Sequence, residues 1–254
     1  MITICPTPIG NLEDVSERLV TTLKEADVVY AEDTRVTAKL LNHLNINKPL
    51  KRLDENTMDK AEEIANQNLN IAYCTDAGTP GVSDPGLKLV KAAKGNVQVL
   101  PGPCAAITAY VASGFIGQDF YFGGFFPRKE NDRKHIQDKN CIQIYYESPN
   151  RLESALKSIA TYLPNRQVSV CRELTKVHEE VITGLAKNLK PTCKGEIVIV
   201  IDEPSKDEIE DSYKEKLEQA KNLTLDNLTT KQKIEILTNT CGISKNDAKK
   251  ILFS

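Results

Sequence analysis

The chain of 254 residues has no tryptophan, only two methionines and three histidines, and no apolar run long enough to span a bilayer. The histidines, His43, His135 and His178, are far apart and show no metal-ligand spacing. The N-terminal segment lacks the charged region of a secretory signal peptide. We therefore expect a cytoplasmic protein without a membrane segment or a metal site.

Paired cysteines and a strong net charge are also missing. The seven cysteines occur singly, and no two have the C-x-x-C spacing of redox and zinc sites. Most lie in apolar, strand-like runs, which is typical of reduced core residues. The formal net charge of -2 argues against a broad basic surface for nucleic acid, although it allows a local basic patch. No G-x-G-x-x-G motif follows the first predicted strand, which argues against the Rossmann dinucleotide fingerprint.

The most distinctive segment that is present is 75–86, which holds three glycines, two prolines and two aspartates. An apolar run, Ile71–Cys74, precedes it and a helical pattern follows it. Glycine and proline in such numbers let a ligand approach the backbone closely, and α/β folds bind ligands at the ends of strands. The segment therefore predicts a ligand-binding loop, with an elaborate turn as the alternative.

Alternating strand and helix patterns predict an α/β domain over residues 1–115, with a mostly parallel sheet covered on both faces. Asp14 is expected to cap the first helix, with Glu17 completing a capping box, and Asp33 to cap the second. Asp84 precedes a proline and is expected to begin the helix after the glycine-rich loop. Strands are expected at Ile2–Cys5, Val28–Ala31, Ile71–Cys74 and 97–100.

A glycine- and aromatic-rich junction at 114–124 leads into a second α/β domain over 116–204, for which a mixed sheet is expected. Its expected elements are strands at 141–146, 168–172, 179–183 and 196–201 and a helix at 151–163. Residues 205–254 are expected to form a charged segment, either a solvated helix or a tether, and a lysine-bearing tail of two short helices around Gly242. That outline is a helix-turn-helix, with a small pair of docking helices as the alternative.

Several long motifs identify a relative. The first four are Thr7-Pro8-Ile9-Gly10-Asn11-Leu12, Ala31-Glu32-Asp33-Thr34-Arg35, Asp76–Pro80 with Ser83–Gly86, and Pro101–Ala106; the others are 146–148 with 151–152, 172–176 and 194–196. Their order and spacing resemble the ribosomal RNA small-subunit methyltransferase I family, which are 2′-O-ribose methyltransferases of the tetrapyrrole-methylase superfamily. The resemblance covers essentially the whole chain and is loosest in the tail.

The resemblance implies two α/β domains with a cofactor cleft between them, plus the small helical appendage. It implies S-adenosylmethionine as the methyl donor and a cytidine 2′-hydroxyl in the decoding region of 16S rRNA as the acceptor, within the small ribosomal subunit. It also implies a homodimer. Two alternatives share parts of this pattern: a small-molecule methyltransferase of the tetrapyrrole type, and a non-enzymatic rRNA-binding assembly factor.

The resemblance also assigns cofactor contacts. Asp76 is expected to anchor the ammonium of the cofactor, with a turn or helix cap as its alternative role. Gly184 could be only a turn glycine, and Lys194 and Gly195 could be strand-entry residues. The expected cofactor residues are Pro8, Ile9, Gly10, Asp76, Ala77, Gly78, Thr79, Pro80, Ser83, Cys104, Ala105, Ala106, Tyr146, Gly184, Lys194, Gly195 and Glu196.

Glu147 is the first candidate for the general base or for orienting the hydroxyl, and Asp33, paired with Arg35, is the second. Structural ion pairs are the alternative explanation of such charged pairs. Phe126 is expected to be available for stacking on a base, and His178 to be a packing or surface residue. The expected RNA contacts are Arg128, Lys129, Arg151, Arg172, Lys245 and Lys249, with solvated charged helices as the alternative.

Overall fold

The computed structural model describes residues 1–225 and 228–253. They divide into two compact units, Met1–Asp202 and Glu203–Ser254. Within the described ranges, no helix is both long enough and apolar enough to cross a membrane.

The first sheet of the larger unit is entirely parallel. When its five strands are numbered by their order in the sequence, they lie side by side in the order 3-2-4-1-5. The strands are β1 (Ile2–Cys5), β2 (Val28–Ala31), β3 (Leu50–Arg52), β4 (Ile71–Cys74) and β5 (Val97–Val99). The helices that follow them are α1 (Glu17–Glu25), α2 (Thr34–His43), α3 (Ala61–Ala65), α4 (Gly86–Ala92) and α5 (Ala105–Ser113).

Alternate residues of the central strands supply two separate cores, one on each face of this sheet. Ile4 and Tyr73 pack with residues of α3 and α4. Cys5 and Cys74 pack with residues of α1 and α2 on the opposite face. Because both faces are covered, the strands are apolar on both sides, as the sequence predicted. The parallel sheet at the start of the chain is therefore confirmed.

The second sheet is mixed, as predicted, and lies in the same unit. Its strand order is 6-7-10-8-9, and only the pair formed by the first two is parallel. The elements are β6 (Phe120–Phe125), α6 (Glu130–Arg133), β7 (Ile142–Glu147), α7 (Leu152–Tyr162), β8 (Gln167–Arg172), β9 (Glu180–Leu185) and β10 (Ile197–Ile201). Residues of α7 cover one face, and α5, which follows the last strand of the first sheet along the chain, covers the other.

The smaller unit consists of the helices α8 (Lys206–Lys221), α9 (Thr230–Cys241) and α10 (Lys245–Phe253). The predicted pair around Gly242 is present, and Gly242 has the positive φ of +67° that ends α9. The apolar seam includes Leu237 and Ala248, and Ala220 of α8 joins it. Of the two alternatives for the charged segment, helix or tether, the structure has the helix, and α8 is a third helix of this cluster.

Some local predictions were wrong. Ser16, not Asp14, caps α1: its hydroxyl accepts a hydrogen bond from the Leu19 amide at 3.1 Å, whereas Asp14 ends a short 3-10 turn. The predicted junction at 114–124 overlaps β6, an edge strand that was not predicted because it contains two glycines, which are uncommon inside strands. Gly184 is not a turn glycine, because it lies inside β9 and pairs with Val168.

Candidate active site

Three loops leave the carboxyl ends of β1, β4 and β5 and are hydrogen-bonded to one another. Thr7 and Gly78 exchange two backbone hydrogen bonds of 2.9 and 3.0 Å. The hydroxyl of Thr79 donates to the carbonyl of Pro103 at 2.9 Å. Because parallel strands end at the same edge, loops after neighbouring strands meet there. The motifs at 7–12, 75–86 and 101–106 are therefore one connected structure.

Glycines allow these loops to approach each other closely. A Cβ atom on Gly102 would lie only 2.3 Å from Pro6 Cγ. One on Gly10 would lie 2.6 Å from both Lys176 Cγ and Thr175 Oγ1, in the segment that follows β8. Real Cβ atoms do not approach other atoms this closely. Glycine at these two positions therefore allows the loop after β1 to contact both the third loop and the segment that follows β8.

A cavity of about 340 Å³ opens where the three loops face the second sheet. This volume is within the range of about 300–1,000 Å³ that is typical of cofactor and small-ligand pockets. Predicted residues in its lining are Ile9, Ala77, Gly78, Thr79, Cys104, Ala105, Tyr146, Glu147, Gly195 and Glu196. Predicted cofactor residues outside the lining are Pro8, Gly10, Asp76, Pro80, Ser83, Ala106, Gly184 and Lys194.

Asp76 lies next to the lining residue Ala77, and its side chain joins this loop to the start of α2. Its Oδ1 accepts a hydrogen bond from the amide of Asp33 at 3.0 Å. Partial burial raises the pKa of the Asp76 carboxyl, and burial together with the negative charge of Asp76 raises the pKa of Glu32. A cationic ligand group beside these two carboxyls would lower both pKa values, since opposite charge favours the ionised form.

Asp33 serves as the cap of α2. Its Oδ1 accepts the amide of Arg35 at 2.8 Å, and the Arg35 guanidinium donates to both carboxylate oxygens, with Nε 3.0 Å from Oδ1. These hydrogen bonds hold the pKa of Asp33 well below its usual range. Neither residue belongs to the cavity lining. The carboxylate is thus occupied by the helix terminus and by Arg35.

Glu147 ends β7, lines the cavity and has a fully buried side chain. Its Oε1 accepts the amide of Ser148 at 2.6 Å, and its Oε2 lies 3.2 Å from Nη2 of Arg151. The same Nη2 donates to the carbonyl of Phe126 at 2.8 Å. Glu147 and Arg151 therefore form an ion pair whose carboxylate belongs to the wall of the cavity.

A second charged cluster, formed by Glu173, Lys176 and Glu196, reaches the cavity wall through Glu196. Lys176 Nζ donates to Glu173 Oε1 and to Glu196 Oε2, each at 2.8 Å. The Glu196 amide donates to Glu173 Oε1 at 2.9 Å, and Glu173 has a positive φ of +50°. The hydrogen bond from Lys176 lowers the pKa of Glu173. Because Gly10 packs on Lys176, this cluster joins the cavity wall at Glu196 to the first loop.

Comparison with known proteins identifies the chain. The family model of the Tetrapyrrole (Corrin/Porphyrin) Methylases matches residues 1–190. A Ribosomal RNA small subunit methyltransferase I from Bacillus subtilis (strain 168) is 35% identical over 263 residues, covering 97% of this chain and 87% of the relative. One from Halalkalibacterium halodurans is 42% identical over 212 residues, covering 77% of this chain and 73% of the relative.

The chain belongs to the ribosomal RNA small subunit methyltransferase I family. The predicted tetrapyrrole-methylase fold is confirmed as well. The crystal structure of the methyltransferase CobJ matches with a TM-score of 0.60 and 17% identity, covering 80% of this chain and 93% of that one. At this identity the likeness shows the fold, while the family is shown by the closer relatives.

The basic residues expected to contact RNA in this family member have different environments. Arg151 and Arg172 are held by protein groups, Arg172 through a hydrogen bond from Nε to Glu180 Oε2 at 3.1 Å. Arg128 and Lys129 are exposed after β6. In the smaller unit, α10 exposes Lys245 and Lys249. Only these last four residues of the predicted set are largely open to solvent.

The prediction that Phe126 is available for stacking on a base was wrong, and the neighbouring residue Phe125 is the exposed one. Phe126 is buried, with only 1% of its surface exposed, and Phe125 is 57% exposed and lines the cavity. His178 is exposed, as expected for a surface residue. A register shift in β6 exposes Phe125 and buries Phe126, and this shift could not be inferred from the sequence alone.

Other lining residues were also missed: Val82, Phe125, Ser148, Pro149, Cys171, Leu174, Ile197 and Val198. Ser148 and Pro149 follow the Tyr146-Glu147 motif directly, and that adjacency was the available signal. Burial raises the pKa of Cys171 to about 11, so its thiol stays protonated at neutral pH. The cavity therefore gains an apolar wall from Cys171 and not a thiolate nucleophile.

Proposed function

We propose that the chain transfers the methyl group of S-adenosylmethionine to the 2′-hydroxyl of a cytidine in the decoding region of 16S rRNA. The observation that carries this proposal is that every motif shared with the rRNA methyltransferase I family, except 31–35, contributes residues to the wall of one cavity. Its relatives bear the name Ribosomal RNA small subunit methyltransferase I. The acceptor position and the cofactor are implied by the resemblance.

The residues present fit such a cofactor. Ala77, Gly78 and Ala105 have small side chains and line the cavity, so the backbone of the loops is open to a ligand. We assign the ammonium of the cofactor to Asp76, beside which a cation is electrostatically favoured. Tyr146 and Gly195, in the opposite wall, are assigned to its adenosine. When bound, S-adenosylmethionine supplies a methyl group on a positively charged sulfur.

The chain's own contribution is mainly positioning. Holding a hydroxyl in line with the methyl group provides much of the rate in such displacements. Two carboxylates, Glu147 and Glu196, line the cavity, and Glu196 is paired with Lys176. Oε2 of Glu147 accepts no hydrogen bond from the described residues, although Arg151 lies beside it. We assign Glu147 to orienting the 2′-hydroxyl or accepting its proton, and Asp33 to capping α2.

Recognition of RNA is assigned to exposed basic side chains. Arg128 and Lys129 follow a strand whose last residue lines the cavity, and Lys245 and Lys249 are exposed on α10. Lysine and arginine bind phosphates and position the nucleic acid. We propose that residues 1–115 and 116–204 act as two domains around the cofactor, that 205–254 contributes RNA contacts, and that the partner is the small ribosomal subunit.

The proposal is tested by methyl transfer. Small ribosomal subunits from a strain lacking the gene are incubated with the protein and methyl-labelled S-adenosylmethionine. We expect label in 16S rRNA and, after digestion and mass spectrometry, a 2′-O-methylcytidine. Label in a precorrin but not in rRNA would favour the small-molecule alternative. Association with subunits without thermal stabilisation by the cofactor would favour the assembly factor.

We also propose that two copies of the chain associate through α5. This helix is apolar on nearly every side, a composition typical of buried helices, yet Ile107 and Val111 are exposed. Ile116, just beyond the helix, is 90% exposed. Light scattering is expected to give twice the monomer mass, and the Val111→Asp variant is expected to give the monomer mass. A wild-type monomer at micromolar concentration would contradict the proposal.

A further inference from the structure

Phe125 is a large apolar side chain in an unusual position. It is the last residue of β6, lines the cavity and keeps 57% of its surface exposed. Its ring packs edge-on against the ring of Tyr146, with centroids 6.0 Å apart, and Tyr146 is another lining residue. Phe125 therefore presents an aromatic surface to solvent at the wall of the cavity.

An irregularity in β6 produces this exposure. The pairing of β6 with β7 shifts register between Phe122 and Phe125, and Gly124 has a positive φ of +67°. A Cβ atom on Gly123 would lie 2.3 Å from Cε1 of Tyr145, so only glycine fits there. Such bulges redirect side chains and occur often beside active sites. The two glycines thus turn Phe125 toward the cavity and Phe126 into the core.

The segment after Phe125 is held rigidly. The Phe126 amide donates to the Tyr146 carbonyl at 2.9 Å, and the Phe126 carbonyl accepts from Arg151 at 2.8 Å. The Pro127 carbonyl accepts from Nε of Arg133 at 2.9 Å. These three hydrogen bonds fix the backbone of Phe126 and Pro127, directly after the exposed ring. The ring is therefore pre-organised to bind a flat ligand.

We propose that Phe125 is a platform on which the nucleobase of the target nucleotide stacks, with Arg128 and Lys129 contacting the adjoining phosphates. This inference rests on the proposed function and specifies the substrate contact of the same site. Single-stranded RNA is recognised largely by stacking of unpaired bases on aromatic side chains. Two exposed basic residues, Arg128 and Lys129, follow Phe125 by three and four positions. A ring with cations nearby suits a nucleotide, because the base stacks on the ring and the phosphates contact the cations.

The test compares Phe125→Ala, Phe125→Leu and Phe125→Trp in the full chain. Loss of the ring is expected to raise KM for small ribosomal subunits about tenfold, since one stacked base contributes that order of affinity. The affinity for S-adenosylmethionine, measured by calorimetry, is expected to change less than about twofold, because the ring is assigned to the substrate and not to the cofactor. Leucine is expected to behave like alanine, and tryptophan like the wild type.

The matched control is Phe120→Ala. Phe120 is the first residue of the same strand, is 44% exposed and packs on one tyrosine ring, Tyr110, but it does not line the cavity. Its KM is expected to equal that of the wild type. Thermal unfolding of all variants separates loss of folding from loss of binding.

Two outcomes overturn the inference: an unchanged KM in Phe125→Ala, or a loss of cofactor affinity as large as the loss for RNA. Failure of the proposed function has a different signature, because the wild type itself would then transfer no methyl group to rRNA. In that event, equilibrium binding of a single-stranded RNA fragment to wild type and Phe125→Ala still decides. Equal affinities reject the platform, and weaker binding by the variant supports it.

Discussion

Replacing Gly102 with alanine is expected to lower the rate of methyl transfer about 100-fold while the chain remains folded, because displacement of a positioning loop by about 1 Å has effects of this size. The added Cβ would lie 2.3 Å from Pro6 Cγ and 2.6 Å from Pro6 Cβ. The proline ring is rigid, so the loops after β1 and β5 must separate. Both loops contribute to the cavity wall, through Ile9 and through Cys104 and Ala105.

The rate is measured by methyl incorporation, and cofactor affinity by calorimetry. Gly95→Ala is the control: Gly95 has a positive φ of +91°, but an added Cβ would meet nothing within 4 Å. It is expected to lose about 1 kcal/mol of stability, from backbone strain, and to keep its activity. The double variant Pro6→Gly with Gly102→Ala removes the clashing ring and is expected to recover part of the lost rate. Wild-type activity in Gly102→Ala would show that the loops need not touch.

The central elements were predictable because burial leaves a clear pattern. Ile2–Cys5 and Ile71–Cys74 are buried on both faces, and such strands are apolar throughout. The edge strand Leu50–Arg52 is short and polar, so no apolar run marks it. The cap of α1 was misassigned because Asp14 and Ser16 are both good capping residues, and only the backbone path selects Ser16.

The part of the candidate site that lies at the edge of the first sheet was predictable from the sequence. Loops after parallel neighbouring strands meet at that edge, so the motifs at 7–12 and 75–86 could be expected to meet. The opposite wall depends on the antiparallel register of β10 with β7 and β8, which pairs Ile197 with Glu147 on one side and with Arg172 on the other. The register shift of β6 decides between Phe125 and Phe126 in the same way. Neither register has a local signal in the sequence.

Replacing Arg151 with methionine is expected to destabilise the chain by about 3 kcal/mol, the lower end of the effect of removing one partner from a buried ion pair. Glu147 has no exposed side-chain surface, and Arg151 has 24%, which moderates the effect. The variant also removes the donor that holds the Phe126 carbonyl. Denaturant unfolding measures the free energy, with Arg128→Met as the control because Arg128 is exposed. The control is expected to stay within about 0.5 kcal/mol of wild type.

A double variant separates charge from packing. Glu147→Gln with Arg151→Met is expected to be more stable than Arg151→Met alone, because a neutral amide leaves no uncompensated charge beside the cavity. If Arg151 served mainly to bind RNA, its replacement would leave the unfolding free energy unchanged and raise only KM for small subunits. The i, i+4 spacing of Glu147 and Arg151 permits either role, and their burial predicts the structural one. A stable Arg151→Met variant with weakened RNA binding would therefore reverse the assignment of this ion pair.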